Sequence, residues 1–81
     1  MSIFEQLEQT TVQAREQDLL APALAERILA IASHTLNYKH LGLELHGLLD
    51  QLAPAVNQQQ LVPPALLEEQ VQRIEARYRR S

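Results

Sequence analysis

The three histidines are the side chains best suited to chemistry, because histidine titrates near neutral pH and binds metal ions. His34, His40 and His46 are spaced by six residues. On a helix, successive members of this series point about 240° apart and cannot share one face. His40 with Glu44 and His46 with Asp50 each offer two ligands, whereas a zinc site takes at least three from the protein. The sequence therefore predicts no metal site and no cofactor.

Enzyme motifs are missing from the sequence. It contains no G-x-S-x-G, no glycine-rich phosphate loop and no H-E-x-x-H. The Glu-x-x-His units that di-iron bundles use are also missing. A chain of 81 residues forms only a thin core. Such a core leaves little room for a shaped pocket within one subunit. We therefore expect a protein that is not an enzyme and has no small-molecule substrate.

The segment around His34 has a second interpretation. The run IASHTL, with LGL and a leucine-rich stretch after it, resembles the phosphoacceptor segment of histidine phosphotransfer (HPt) domains, which are four-helix bundles. His34 and Leu36 match the family pattern His-x-Leu-Lys-Gly, and Gly42 stands for its second glycine, while Asn37 and Tyr38 replace the lysine and first glycine. The resemblance covers about 20 residues. It implies a phosphoacceptor role for His34, and an ordinary surface histidine is the alternative.

The charge of the chain bears on nucleic-acid binding. Ten acidic and seven basic residues give a net charge of −3. Binding to phosphates requires a basic surface. The basic residues cluster near the C-terminal end, at Arg73, Arg77, Arg79 and Arg80, where cations also stabilise the negative end of a helix. We expect no nucleic-acid partner.

Length and composition favour one small domain spanning residues 1–81. Cysteine is absent, which fits a reducing compartment. The opening residues MSIFEQLEQ are acidic and polar, unlike a signal peptide. No apolar run reaches the eighteen residues of a membrane-spanning helix. We expect an acidic, soluble, cytoplasmic protein without a membrane partner.

The prolines and capping residues place the helices. Ser2 and Glu5 have the spacing of a capping box, which predicts a helix over about 3–17. Pro22 suits the first turn of a second helix, and the prolines at 63–64 start a last helix that runs to about 80. In that helix, Glu69–Arg73 and Glu75–Arg79 have the spacing of i,i+4 ion pairs. Pro54 is predicted to end the central region. The stretch 53–62 is the longest loop candidate, with one helical turn within it as an alternative.

The region 22–53 carries the longest apolar stripe. Its members alternate in spacing between four and three: Leu24, Ile28, Ile31, Thr35, Tyr38, Gly42, Leu45, Leu49 and Leu52. A single helix would be about 48 Å long, and the flanking helices are too short to cover it. A turn at 37–42 would instead give two helices. The predicted fold is all-α, a small three- or four-helix bundle. If the central region is one long helix, we expect a second copy of the chain to complete the bundle by dimerisation.

These patterns lead to one main functional hypothesis. An apolar stripe wider than its own chain can cover becomes an interface. We therefore expect a non-enzymatic helical adaptor or regulatory module that binds a partner protein, self-associates as a homo-oligomer, or both. The residues predicted to form the interface are Tyr38, Leu41, Leu45, Leu48 and Leu52. Phosphotransfer through His34 is the alternative function.

Overall fold

In the computed structural model, four α-helices make up the bundle. The structure describes residues 2–34 and 39–80; at 39 and 78–80 it describes the backbone only. The helices are α1 (Ile3–Glu16), α2 (Pro22–His34), α3 (Gly42–Asn57) and α4 (Pro64–Arg80). A short 3-10 helix, Lys39–Leu41, directly precedes α3. The radius of gyration is 11.6 Å, close to the roughly 12 Å expected for a compact domain of this length. The predicted all-α bundle is confirmed, with four helices.

The central region forms two helices. α2 ends at His34 and α3 begins at Gly42, so the region forms two helices and not a single helix of about 48 Å. Residues 35–38, which include the predicted interface residue Tyr38, lie outside the described residues. Because the apolar stripe is shared by two shorter helices, one chain has enough helices to cover it.

The helices surround a core of aliphatic side chains. α1 packs against α2 and α3, and α4 also packs against α2 and α3, so the order around the bundle is α1, α2, α4, α3. Each helix contributes residues spaced by three or four, which is the spacing of one buried helix face. The buried positions include Leu7, Ala14, Leu24, Ile28, Ile31, Leu45, Leu48, Leu52, Leu67, Val71 and Ile74.

The helix starts agree with the sequence signals. The backbone amide of Glu5 donates to Oγ of Ser2 at 3.3 Å, so the predicted cap of α1 is formed. Pro22 is the first residue of α2 and Pro64 the first residue of α4. Proline suits this position because the amide it lacks would have no partner within the helix.

The ends of α1 and α3 share one backbone motif. Asp18 has φ 58° and Gln59 has φ 55°, both in the left-handed region. The amide of the next residue donates back to the helix in each case, from Leu19 to Ala14 O at 2.8 Å and from Gln60 to Ala55 O at 2.8 Å. This is the Schellman arrangement, which usually places glycine at the left-handed position.

Pro54 lies inside α3, so the prediction that it ends the central region is wrong. The helical turn considered within 53–62 is the end of α3, and the connection is confined to 58–63. The carbonyl of Pro54 accepts the amide of Gln58 at 3.0 Å, and α3 continues to Asn57. Proline removes one helical hydrogen bond, but Pro54 and Asp50, whose carbonyl loses that donor, both lie on the exposed side of α3. Val56 is 6% exposed and extends the buried face of the helix by one turn.

Candidate interaction surface

The predicted interface leucines belong to the core of the single chain. Leu41, Leu45, Leu48 and Leu52 are each 0% exposed. A partner reaches these side chains only if the helices separate. The expectation rested on a stripe too wide for one chain to cover, and the division of the region into α2 and α3 removes that premise.

Other leucines are exposed. Leu43 is 86% exposed, Leu61 75% and Leu66 58%. Leu61 lies in the connection between α3 and α4, whereas Leu43 and Leu66 lie on those two helices. In α4, Leu66 is followed at spacings of four and three by Gln70 and Arg73, which places the three on one side of the helix.

A groove separates α3 from α4, and Leu43 is the exposed leucine in its lining. The volume of the groove is about 270 Å³, and its lining residues are Leu43, Glu44, Gly47, Gln70, Arg73 and Ile74. We call the surface formed by Leu43, Gly47, Leu66, Gln70 and Arg73 the α3–α4 face. Because glycine has no side chain, the backbone of Gly47 forms the floor of the groove. A Cβ at this position would lie 3.8 Å from Nε2 of Gln70.

The side-chain amide of Gln70 is incompletely bonded. Its Oε1 atom is buried and has no hydrogen-bond partner in the described part of the chain. A buried acceptor without a partner is unfavourable by about 1–3 kcal/mol.

Ion pairs hold α4 against its neighbours. Nη1 of Arg27, on α2, donates to both carboxylate oxygens of Glu68, at 2.6 and 2.8 Å, and Nη2 donates to Glu75. On the other side, Arg77 pairs with Glu44 of α3. These contacts fix α4 relative to both α2 and α3, and hence fix the width of the groove.

The pKa values reflect the Arg27 cluster. Hydrogen bonds to Glu75 and Glu68 raise the pKa of Arg27 above its ordinary value. The hydrogen bond from Arg27 lowers the pKa of Glu68 below its ordinary 4.5. Glu68 and Arg27 therefore stay ionised over the neutral range, and the pair persists there.

Of the two ion pairs predicted within the last helix, one is formed. Arg73 binds Glu69 at 3.1 Å, with both side chains largely exposed. Glu75, predicted to pair with Arg79, binds Arg27 of α2. The side chain of Arg79 lies outside the described residues. Glu68 and Glu75 lie 41 and 48 positions after Arg27 in the sequence. Spacing within one helix therefore could not predict that they bind Arg27.

The histidines are distributed along the surface. His34 is the last residue of α2 and exposed, and its Nδ1 lies 2.8 Å from the carbonyl oxygen of Ala30. Arg27, seven residues before His34 on α2, binds two carboxylates of α4. Glu44, considered as a ligand partner of His40, binds Arg77. The described residues contain no group of three metal-ligating side chains placed to hold a metal ion.

The fold and the exposed residues define a class of protein: a small four-helix bundle with a groove between its last two helices and exposed leucines beside it. Within the described part of the chain, no helix combines the length and apolarity needed to cross a membrane. The chain matched no known protein family, no curated protein and no solved structure.

Proposed function

We propose that this chain is a non-enzymatic protein-interaction module that self-associates through the α3–α4 face. The observation that carries the proposal is the 86% exposure of Leu43 beside the groove above Gly47. A leucine this exposed gains about 1.5–3 kcal/mol when it is fully buried. The proposed cellular location is the cytoplasm, because the chain contains no cysteine.

Shape supports a second copy as the occupant. Leu43 projects from α3, and the groove floor at Gly47 is one turn further along the same helix. A projection and a depression on one face are complementary to another copy of that face. Two-fold pairing uses the same patch on both subunits. Each Leu43 would then cover the groove of the other copy.

The surface carries charges of both signs. On the α4 side, Arg73 and Arg77 are 65% and 51% exposed and pair within the chain with Glu69 and Glu44. The α3 side carries Asp50, which is exposed and spaced seven residues from Leu43 on the same side of the helix. If the two-fold axis runs along the groove, α3 of each copy lies over α4 of the other. The exposed Asp50 of each copy would then face α4 of the other copy.

The size of the surface fits a weak association. A standard interface buries about 800 Å² on each partner, roughly a sixth of the 5134 Å² that this chain exposes. α3 and α4 have 16 and 17 residues, so the face is about 24 Å long. Two adjacent helices give it a width of about 20 Å. Its outline therefore covers about 480 Å², which is below the standard area and in the range of weak, transient interfaces.

Sedimentation equilibrium tests the proposal. The wild-type protein should approach twice its 9.2-kDa mass as the concentration rises from about 10 μM to about 1 mM. Leu43→Glu should weaken association at least about 100-fold, because the symmetric interface loses two buried leucines and gains two desolvated carboxylates.

Leu61→Glu is the matched control. It introduces the same charge at a leucine of similar exposure, but in the α3–α4 connection and outside the face. It should associate as the wild type does. A wild-type protein that stays monomeric up to about 1 mM, or a control variant that dissociates as fully as Leu43→Glu, would refute the proposal.

A further inference from the structure

A second groove lies between α1 and α2, away from the α3–α4 face. Its volume is about 440 Å³. Phe4 and Val12 of α1 and Leu29 of α2 give it apolar walls, and Glu5 and Glu8 stand beside them. Phe4 and Leu29 are half-buried, and Val12 is 37% exposed. The apolar walls are therefore only partly covered by the chain itself.

The two carboxylates of this groove differ from those near α4. Glu5 and Glu8 are exposed and make no ion pair with the side chains that the structure describes. By contrast, Glu44 and Glu68 each bind an arginine from a neighbouring helix. Residues three apart on a helix are about 5–6 Å apart at Cβ. Glu5 and Glu8 thus place two unpaired negative charges side by side along an apolar groove.

We propose that the α1–α2 groove binds a basic amphipathic helix of a partner protein. Apolar side chains of that helix enter between Phe4, Val12 and Leu29, and lysine or arginine side chains pair with Glu5 and Glu8. A groove between two helices is a common seat for a third amphipathic helix. The opposite charge of the carboxylates selects a basic occupant.

This inference goes beyond the proposed self-association. The two surfaces lie on different helices, so the partner helix and the second copy of this chain occupy different parts of the bundle. A module with both surfaces would present two copies of the partner-binding groove in one dimer.

Peptide binding tests the proposal. The probe is a designed amphipathic helix with leucines on one face and lysines beside them, titrated into the full-length chain and followed by fluorescence anisotropy and backbone amide shifts. We expect binding that shifts amides of Phe4, Val12 and Leu29 and weakens as salt is added. Glu5→Gln combined with Glu8→Gln should weaken it about five-fold, because two ion pairs are lost.

The control removes the same charge elsewhere. Glu16 and Glu26 are exposed residues of α1 and α2 that do not line the groove. Changing both to glutamine should alter the peptide affinity less than about 1.5-fold. Val12→Arg, at an exposed position, should weaken it more than ten-fold by opposing the lysines.

Four outcomes would overturn the proposal. They are no binding at about 1 mM peptide, equal weakening by both double glutamine variants, amide shifts confined to α3 and α4, and equal binding of a peptide in which glutamates replace the lysines. A fifth outcome would also overturn it. If a peptide of residues 64–81 of this chain binds the groove more tightly than the probe does, the occupant of the groove is a second copy of the chain.

Discussion

Replacing Gly47 with alanine should raise the stability of the bundle and weaken its proposed self-association. Gly47 lies in the interior of α3, where glycine is unfavourable because its backbone loses the most freedom on folding. It also forms the floor of the groove between α3 and α4. The same added methyl group therefore has opposite effects on the monomer and on the proposed dimer.

The magnitude for the monomer follows from helix propensity and from the space at the site. Alanine is favoured over glycine by about 1 kcal/mol in a helix interior. The added Cβ would meet Nε2 of Gln70 at 3.8 Å, which is ordinary van der Waals contact, so no steric penalty offsets the gain. For a domain of this size, about 1 kcal/mol raises Tm by about 4–8 °C.

For the dimer, the methyl group raises the groove floor under the opposing leucine. An overpacked contact costs about 1 kcal/mol or more, and the two-fold dimer contains this contact twice, so association weakens about 30-fold or more. Stability is measured by urea and thermal unfolding at low micromolar concentration, where the monomer predominates, and association by sedimentation equilibrium. Gly42→Ala is the matched control. A Cβ there meets nothing within 4 Å, and as the first residue of α3, Gly42 should give a smaller gain.

Two results would refute this reasoning. An alanine variant that unfolds at lower temperature than the wild type would mean that the helix or the groove at Gly47 has no room for a side chain. A variant that is more stable and also associates more tightly would place the interface away from the groove floor.

Further predictions concern other parts of the bundle. Gln59→Gly should stabilise the protein by about 0.5–1 kcal/mol in urea unfolding, since glycine accepts the left-handed conformation without strain; Gln58→Gly, at φ −93°, should give no gain. Arg27→Gln should cost about 1–2 kcal/mol, between the values of surface and buried pairs, because the Arg27 and Glu68 side chains are 34% and 41% exposed and that of Glu75 only 18%. Since the pKa of folded Glu68 is lowered, its contribution to stability is present above 4.5 and is lost as the pH falls below that value; the stability difference between wild type and Glu68→Gln should shrink over that range. Incubation with a phosphorylated receiver domain should leave no acid-labile phosphate on the chain, and label that disappears in His34→Gln would favour the phosphotransfer alternative.

The helix starts could be predicted because their signals are local. A capping serine or an N-terminal proline acts within one turn, so Ser2, Pro22 and Pro64 mark the starts of α1, α2 and α4 without knowledge of the rest of the fold. The helix ends were harder to predict. Asp18 and Gln59 have the left-handed conformation that glycine usually adopts after a helix, so the usual sequence signal of a helix end is missing there.

Packing decided the features that the sequence could not. α3 continues past Pro54 because Val56 joins the core beyond it, and a local rule about proline does not include that gain. Leu43 and Leu45 are only two residues apart, yet one is 86% exposed and the other 0%. Both are leucines of the apolar central region, and the position of the neighbouring helices decides which of them is buried.

The surface features depend on contacts between distant segments. The grooves form where two helices meet, and the arginine that holds α4 comes from α2. Helical spacing alone showed that the central region has more apolar residues than one face needs. It did not show which of them the other helices would cover.

The hydrogen bond from the amide of Val62 to the carbonyl of Leu19, at 2.9 Å, joins the α1–α2 connection to the α3–α4 connection. Leu19, Leu20 and Val62 are buried beside it. The two helical hairpins are thereby fastened at one end, so they should unfold as a single cooperative unit. The amide of Val62, although it belongs to a loop, should exchange with deuterium as slowly as amides in the middle of a helix.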